Sequence, residues 1–214
     1  MSQETTLKVI VLGSSNVGKT SVLRRAFDDE FNPTISTIGV DFKTQYFKFD
    51  DTSIRINYID TAGQEKFKAI SVNYLKGADG AILVYDITKE ETFKLIGDWV
   101  EDIKQNNKMN IGKVLLGNKA DLDVDREVSK ERGESLAKEL DCPFFETSAL
   151  SGMNVREAVD EIAKITYNKW KLEPNNRKSV RLSSSSSVEK IADEQKKKKL
   201  LLMILEIFII FIYN

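Results

Sequence analysis

Residues 13–20 read GSSNVGKT, with the spacing G-x-x-x-x-G-K-[ST] that a chain uses to hold a polyphosphate. Glycines let the backbone curl around an anion so that successive N–H groups face it. The following helix adds the partial positive charge of its N-terminus. In such a loop Lys19 sits against the β- and γ-phosphates and the Thr20 hydroxyl ligates Mg²⁺. A chance glycine-rich turn is the competing reading, and a strand before the motif with a helix after it argues against that. A second segment, Asp60-Thr61-Ala62-Gly63-Gln64-Glu65, ends an apolar run. Asp60 there could hold Mg²⁺ through water, the Gly63 N–H could meet the γ-phosphate, and Gln64 could orient an attacking water. Read alone, this segment is equally a turn, and it gains weight only beside the phosphate loop. Thr37 lies in a polar loop where a hydroxyl could reach Mg²⁺ and the γ-phosphate. By itself it is an ordinary loop threonine.

Asn118-Lys119-Ala120-Asp121 follows another apolar run. Guanine presents N1–H and N2–H₂ as paired donors. One carboxylate, Asp121, can accept both, and adenine cannot satisfy it. The Lys119 stem can lie along the purine face, and Asn118 can tie this loop to the phosphate loop. Thr147-Ser148-Ala149 closes a last short strand, and its backbone N–H could meet the guanine O6. The NKxD spacing alone is a weak signal. Two base-side segments in this order make guanine the better reading than adenine, with an ATP-using phosphate-loop enzyme as the rival.

Composition removes other chemistries. The 214 residues contain no histidine and one cysteine, Cys142. A Ser-His-Asp triad, a histidine base, a thiolate metal cage and an intramolecular disulfide are thereby excluded. A net charge of −1 gives no reason to expect nucleic-acid binding, and a 41% hydrophobic, 30% charged composition suits one core. The N-terminal MSQETTLK carries no signal-peptide core, so a reducing, cytoplasmic home is expected.

The elements that must position these residues alternate. Leu7–Leu12, Gly80–Tyr85, Lys113–Leu116 and the weaker Pro143–Phe145 read as buried strands. Phe42–Phe49 and Ser53–Ile59 alternate strongly around Asp50-Asp51-Thr52 and read as a β-hairpin. Gly18–Phe27, Glu90–Lys104, Ser129–Leu140 and Asn154–Leu172 carry helical spacing. Such alternation predicts an α/β domain.

Together these segments resemble the Ras-like small GTPases, and among them most the Rab family. The resemblance spans about Leu7 to Leu172. Rab-like stretches are Ile38-Gly39-Val40-Asp41-Phe42, Lys66-Phe67-Lys68-Ala69-Ile70, Leu75-Lys76-Gly77-Ala78 and Leu83-Val84-Tyr85-Asp86-Ile87-Thr88. The resemblance implies a three-layer sandwich with a six-stranded, mostly parallel sheet and five helices. It implies a GTP/GDP switch that uses Mg²⁺, hydrolyses GTP slowly with Gln64 and Lys19, and recruits effectors in vesicle traffic. Implied nucleotide contacts are Ser15, Asn16, Val17, Gly18, Lys19, Thr20, Ser21, Phe31, Thr37, Gly63, Asn118, Lys119, Asp121, Ser148, Ala149 and Leu150, with Thr20, Thr37 and Asp60 at the metal. Implied partners are an exchange factor, a GTPase-activating protein and effectors, around a monomer. Phe42 and Phe67 would present apolar surface to effectors, or simply pack in the core. The alternative function is a hydrolysis-poor module that holds its nucleotide constitutively.

Four departures stand out. Ile59 occupies a position where Rab proteins carry Trp, Asn16 replaces a common glycine, and the stretch from Lys19 to Thr37 is slightly short. The paired C-terminal cysteines used for prenylation are absent. Residues 1–172 are read as the GTPase domain, 173–199 as a polar and basic linker with a serine run, and 200–214 as a hydrophobic tail. From 169 to 199 ten basic residues stand against four acidic, a net of +6. The apolar tail, interrupted by Glu206, would reach roughly 21 Å as a helix against about 30 Å of hydrocarbon. Three readings stay open: a membrane anchor in place of lipid, a partner-docking segment, or an end foreign to the natural product. The first implies peripheral attachment to the cytosolic face of an intracellular membrane.

Overall fold

The computed structural model describes residues 5–31, 40–49, 52–61, 73–107 and 111–172. The chain divides into two units, Met1–Leu172 and Glu173–Asn214, and every described residue lies in the first. In order the elements are β1 (Thr5–Leu12), α1 (Lys19–Asp28), β2 (Val40–Phe49), β3 (Thr52–Thr61), β4 (Gly80–Asp86), α2 (Glu90–Lys94) and α3 (Ile96–Asn106). Then come β5 (Gly112–Asn118), a 3₁₀ segment (Ala120–Asp125), α4 (Lys130–Glu139), β6 (Phe144–Thr147) and α5 (Val155–Leu172).

Six strands form one sheet in the order β2-β3-β1-β4-β5-β6. Only β2 and β3 pair antiparallel, from Val40 opposite Thr61 to Phe49 opposite Thr52. The fold is the six-stranded, mostly parallel sheet expected, with these five α-helices, one 3₁₀ segment and a further helical stretch at residues 73–75 among the described residues. The turn expected at Asp50-Asp51 lies outside them.

Strand periodicity sorts the core into two layers. Leu7, Val9 and Val11 of β1, Ile54, Ile56 and Tyr58 of β3, and Ile82 and Val84 of β4 share one cluster with Val22 and Leu23 of α1 and Val159 and Ile162 of α5. Ile10, Leu12, Leu83, Tyr85 and Leu115 point the other way, against Ile96, Trp99, Val100 and Ile103 of α3 and Ala137 of α4. Each fully buried aliphatic contributes about 1.5–3 kcal/mol, so both faces of the sheet are committed to helices.

The helix expected over 90–104 is two. Leu95 separates α2 from α3 with ψ near −8°, and its N–H still reaches the Glu91 carbonyl. The apolar spacing runs on across the break. No helix among the described residues is long and apolar enough to cross a membrane.

Candidate nucleotide site

Parallel pairing brings the strands' C-terminal ends to one edge. Asp60 on β3 stands beside Val11 on β1, Asp86 on β4 beside Asn118 on β5, and Asn118 beside Thr147 on β6. Hydrogen bonds at that edge join the 13–20 loop to Asp60 and Asn118, Asn118 to Thr147, and Asp121 to Ser148.

The loop from Gly13 to Gly18 depends on its glycines. A Cβ on Gly13 would lie 2.2 Å from the Val84 carbonyl oxygen, and one on Gly18, at φ 94°, would lie 2.3 Å from the Asn118 amide nitrogen. Asn16 also sits left-handed, at φ 62°. Asparagine tolerates that conformation better than most side chains, so Asn16 keeps a backbone that glycine would also adopt.

Lys19, 5% exposed, donates through Nζ to the carbonyls of Gly13 (2.9 Å) and Ser14 (2.8 Å). Burial pushes its ammonium down to about 8, and Asp60 opposes the fall. Asp60 is 2% exposed, and burial raises its carboxyl to about 6 against the pull of the Thr20 hydrogen bond and Lys19. Thr20 donates to Asp60 Oδ2 at 2.5 Å, while the buried Asp60 Oδ1 has no hydrogen-bond partner among the described residues. A carboxylate oxygen without a partner, beside a hydroxyl oxygen, is a hard-oxygen donor set that fits Mg²⁺. A buried ammonium whose hydrogen-bond partners among the described residues are two carbonyls fits an anion. Thr61 donates to the Val11 carbonyl at 2.7 Å and locks β3 to β1 beneath this pair.

The base-side segments interlock with the phosphate loop. Asn118, 1% exposed, donates to the Val17 carbonyl at 2.8 Å and accepts from the Thr147 hydroxyl at 3.1 Å. Lys119, at φ 66°, pairs through Nζ with Asp86 Oδ2 at 2.5 Å. Asp86 itself is fixed by the N–H and hydroxyl of Thr88 on Oδ1. Asp121 is exposed, and Ser148 donates to its Oδ1 at 2.5 Å. Ser148 and Ala149 are buried and Leu150 is exposed on the same turn.

Of the other expected residues, Val17 packs in the core and Ser21 is buried, whereas Ser15 is half-buried. Phe31 is exposed past the end of α1, and no contact among the described residues joins it to the site. Thr37, Gly63, Gln64 and Phe67 lie outside the described residues. Phe42 is half-buried with its ring 5.9 Å from that of Tyr74, and Ile59 is 1% exposed in the same cluster. Cys142 is free, and burial pushes its thiol up to about 11. The sequence reading missed Asp86, which holds Lys119, and Arg25, which donates to the carbonyls of Ala149 and Leu150. Asp86 ends a buried strand, a signal that could have found it. Arg25 on an amphipathic helix gives none.

A glycine-bounded loop between β1 and α1, a buried lysine, and an acid–hydroxyl pair at the next strand end define a P-loop nucleotide-binding protein. Residues 8–168 match the model of the Ras family, and the chain belongs to that family. It is 43% identical over 188 residues to Ras-related protein Rab-13 of Rattus norvegicus, covering 87% of this chain and 91% of that one. It is 43% identical over 173 residues to Ras-related protein Rab-8B of Homo sapiens, covering 80% and 84%. It is 46% identical over 158 residues to Ras-related protein Rab-8A of Bos taurus, covering 73% and 76%. The chain is thus a Rab-like small GTPase, a hydrolase of a family that binds guanine nucleotides and serves vesicle traffic.

Proposed function

We propose that residues 1–172 form a GTP/GDP switch that binds Mg-GTP, hydrolyses it slowly and captures effectors while the third phosphate is present. The observation that carries the reading is the buried Lys19 beside the Thr20–Asp60 pair. Lys19 exchanges its two carbonyl partners for phosphate oxygens, and amides of the 13–18 loop complete the cradle. Thr20, Asp60 and Thr37 would hold Mg²⁺, which when bound neutralises phosphate charge. Gln64 orients the water. Asp121 accepts from the purine N1–H and N2 amine, and amides of the Ser148–Leu150 turn donate to O6.

Hydrolysis without help is slow, and an arginine from a GTPase-activating partner would complete the site. An exchange factor would open it. The protein acts as a monomer, held peripherally on the cytosolic face of an intracellular membrane by the basic 173–199 linker and the 200–214 tail. Single-turnover GTP hydrolysis by wild type and Gln64→Leu tests the reading. Loss of most of the rate in the variant is expected, and equal rates would remove Gln64 from the mechanism. Effector capture that is the same with GDP and a non-hydrolysable GTP analogue would favour a constitutive binding module instead.

A further inference from the structure

Arg25 stands on α1 one turn before its left-handed cap, Asp29. All three guanidinium nitrogens are engaged. Nε donates to the Ala149 carbonyl at 2.9 Å and Nη2 to the Leu150 carbonyl at 2.8 Å. Nη1 donates to both the carbonyl and the Oδ1 of Asp29, each at 3.0 Å. The stem passes beside Gly152, where a Cβ would stand 3.6 Å from Arg25 Cδ. The side chain is 19% exposed, so the fork works largely out of water.

The turn it grips is closed on itself. Gly152 N–H donates to the Ser148 carbonyl at 2.8 Å and Ser148 N–H to the Met153 carbonyl at 3.1 Å. Ser151 N–H donates to the Ser148 hydroxyl. The amides of Ala149 and Leu150 form no hydrogen bond among the described residues. In a trans peptide the N–H points opposite to the carbonyl. By holding the Ala149 carbonyl toward α1, Arg25 therefore turns the Leu150 N–H to the other side.

We infer that Arg25 is a positioning residue for purine recognition: its guanidinium clamps the Ala149 and Leu150 carbonyls to the end of α1 and so aims the free Leu150 amide at the purine O6. The inference rests on the guanine reading above. Two adjacent carbonyls suit a planar fork, whereas a lysine's point charge serves one.

Equilibrium competition against a fluorescent guanosine diphosphate, with Mg²⁺, tests it using three diphosphates. 6-Thioguanosine diphosphate puts a weakly accepting sulfur in place of O6, inosine diphosphate lacks the N2 amine, and GDP has both groups. In Arg25→Ala the preference for GDP over the thio analogue should shrink about tenfold, while the preference over inosine diphosphate stays as in wild type. Arg25→Lys should recover part of the loss, and it carries the same comparison should Arg25→Ala fail to fold. An unchanged thio preference in either folded variant overturns the inference. So does a parallel fall in both preferences, which is the mark of a general loosening. A wild-type protein that does not prefer GDP over either analogue refutes the guanine reading itself, and the inference falls with it.

Discussion

Asn118 braces both halves of the proposed nucleotide site, and Asn118→Ala should weaken phosphate and base binding together. The variant strands the Val17 carbonyl and the Thr147 hydroxyl, which now bond the Asn118 amide at 2.8 and 3.1 Å where Asn118 is 1% exposed. Leaving a buried partner unsatisfied costs about 1–3 kcal/mol. The two together amount to about 3 kcal/mol, or roughly 100-fold in the GDP dissociation rate at about 1.4 kcal/mol per tenfold. Release of a fluorescent GDP in a stopped-flow chase measures it. Thr147→Val deletes the same hydroxyl–amide bond from its other end. The double variant should therefore fall short of additivity by about 1 kcal/mol. A rise below about threefold for Asn118→Ala, or strict additivity with Thr147→Val, would refute the brace.

Asp60 predicts a pH signature in the nucleotide-free protein. Its carboxyl is raised by burial from 3.8 to about 6, so the folded state keeps a proton that the unfolded chain has released. Stability from this group is full below about pH 4 and is lost as pH rises through 6, a fall of about 3 kcal/mol at 1.36 kcal/mol per unit. Urea unfolding of wild type against Asp60→Asn should show that difference between pH 4 and 6.5, and a flat difference would contradict it. Glycines separate loop from helix. Gly18→Ala drives a Cβ to 2.3 Å from the Asn118 amide and should abolish nucleotide retention. Gly97→Ala, with nothing within 4 Å of the new Cβ, should leave retention intact and stabilise α3 by about 0.5 kcal/mol in thermal unfolding.

The parts legible in the sequence were those whose physics is local. The phosphate loop announces itself because Gly13, Gly18, Lys19 and Thr20 are needed at fixed spacing within one turn of chain. Strands β1 and β4 were readable from their apolar runs, since burial on both faces leaves little room for polar side chains, and β3 from its alternation, which turns Ile54, Ile56 and Tyr58 into the core. Other features were hidden for physical reasons. The break at Leu95 costs one residue of helical geometry and leaves the amphipathic period of 90–106 unchanged. The Lys119–Asp86 pair joins two strand ends 33 positions apart. Arg25 looks like a solvated helix residue until the fold carries Ala149 and Leu150 to it across 124 and 125 positions. Strand β5 is longer than its KVLL run because Gly112 and Gly117 pair in the ladder while packing against Ile165 and Tyr85.

The central claim is that a lysine-lined loop of amides grips the phosphates while one carboxylate on a separate turn chooses the base. Competition of GDP, xanthosine diphosphate and ADP for the Mg²⁺-loaded protein and its Asp121→Asn variant measures this directly. Wild type should retain GDP far above the other two, and Asp121→Asn should transfer that preference to xanthosine diphosphate with the phosphate grip preserved. Equal retention of GDP and ADP by wild type, or a variant that still chooses GDP, would contradict the account.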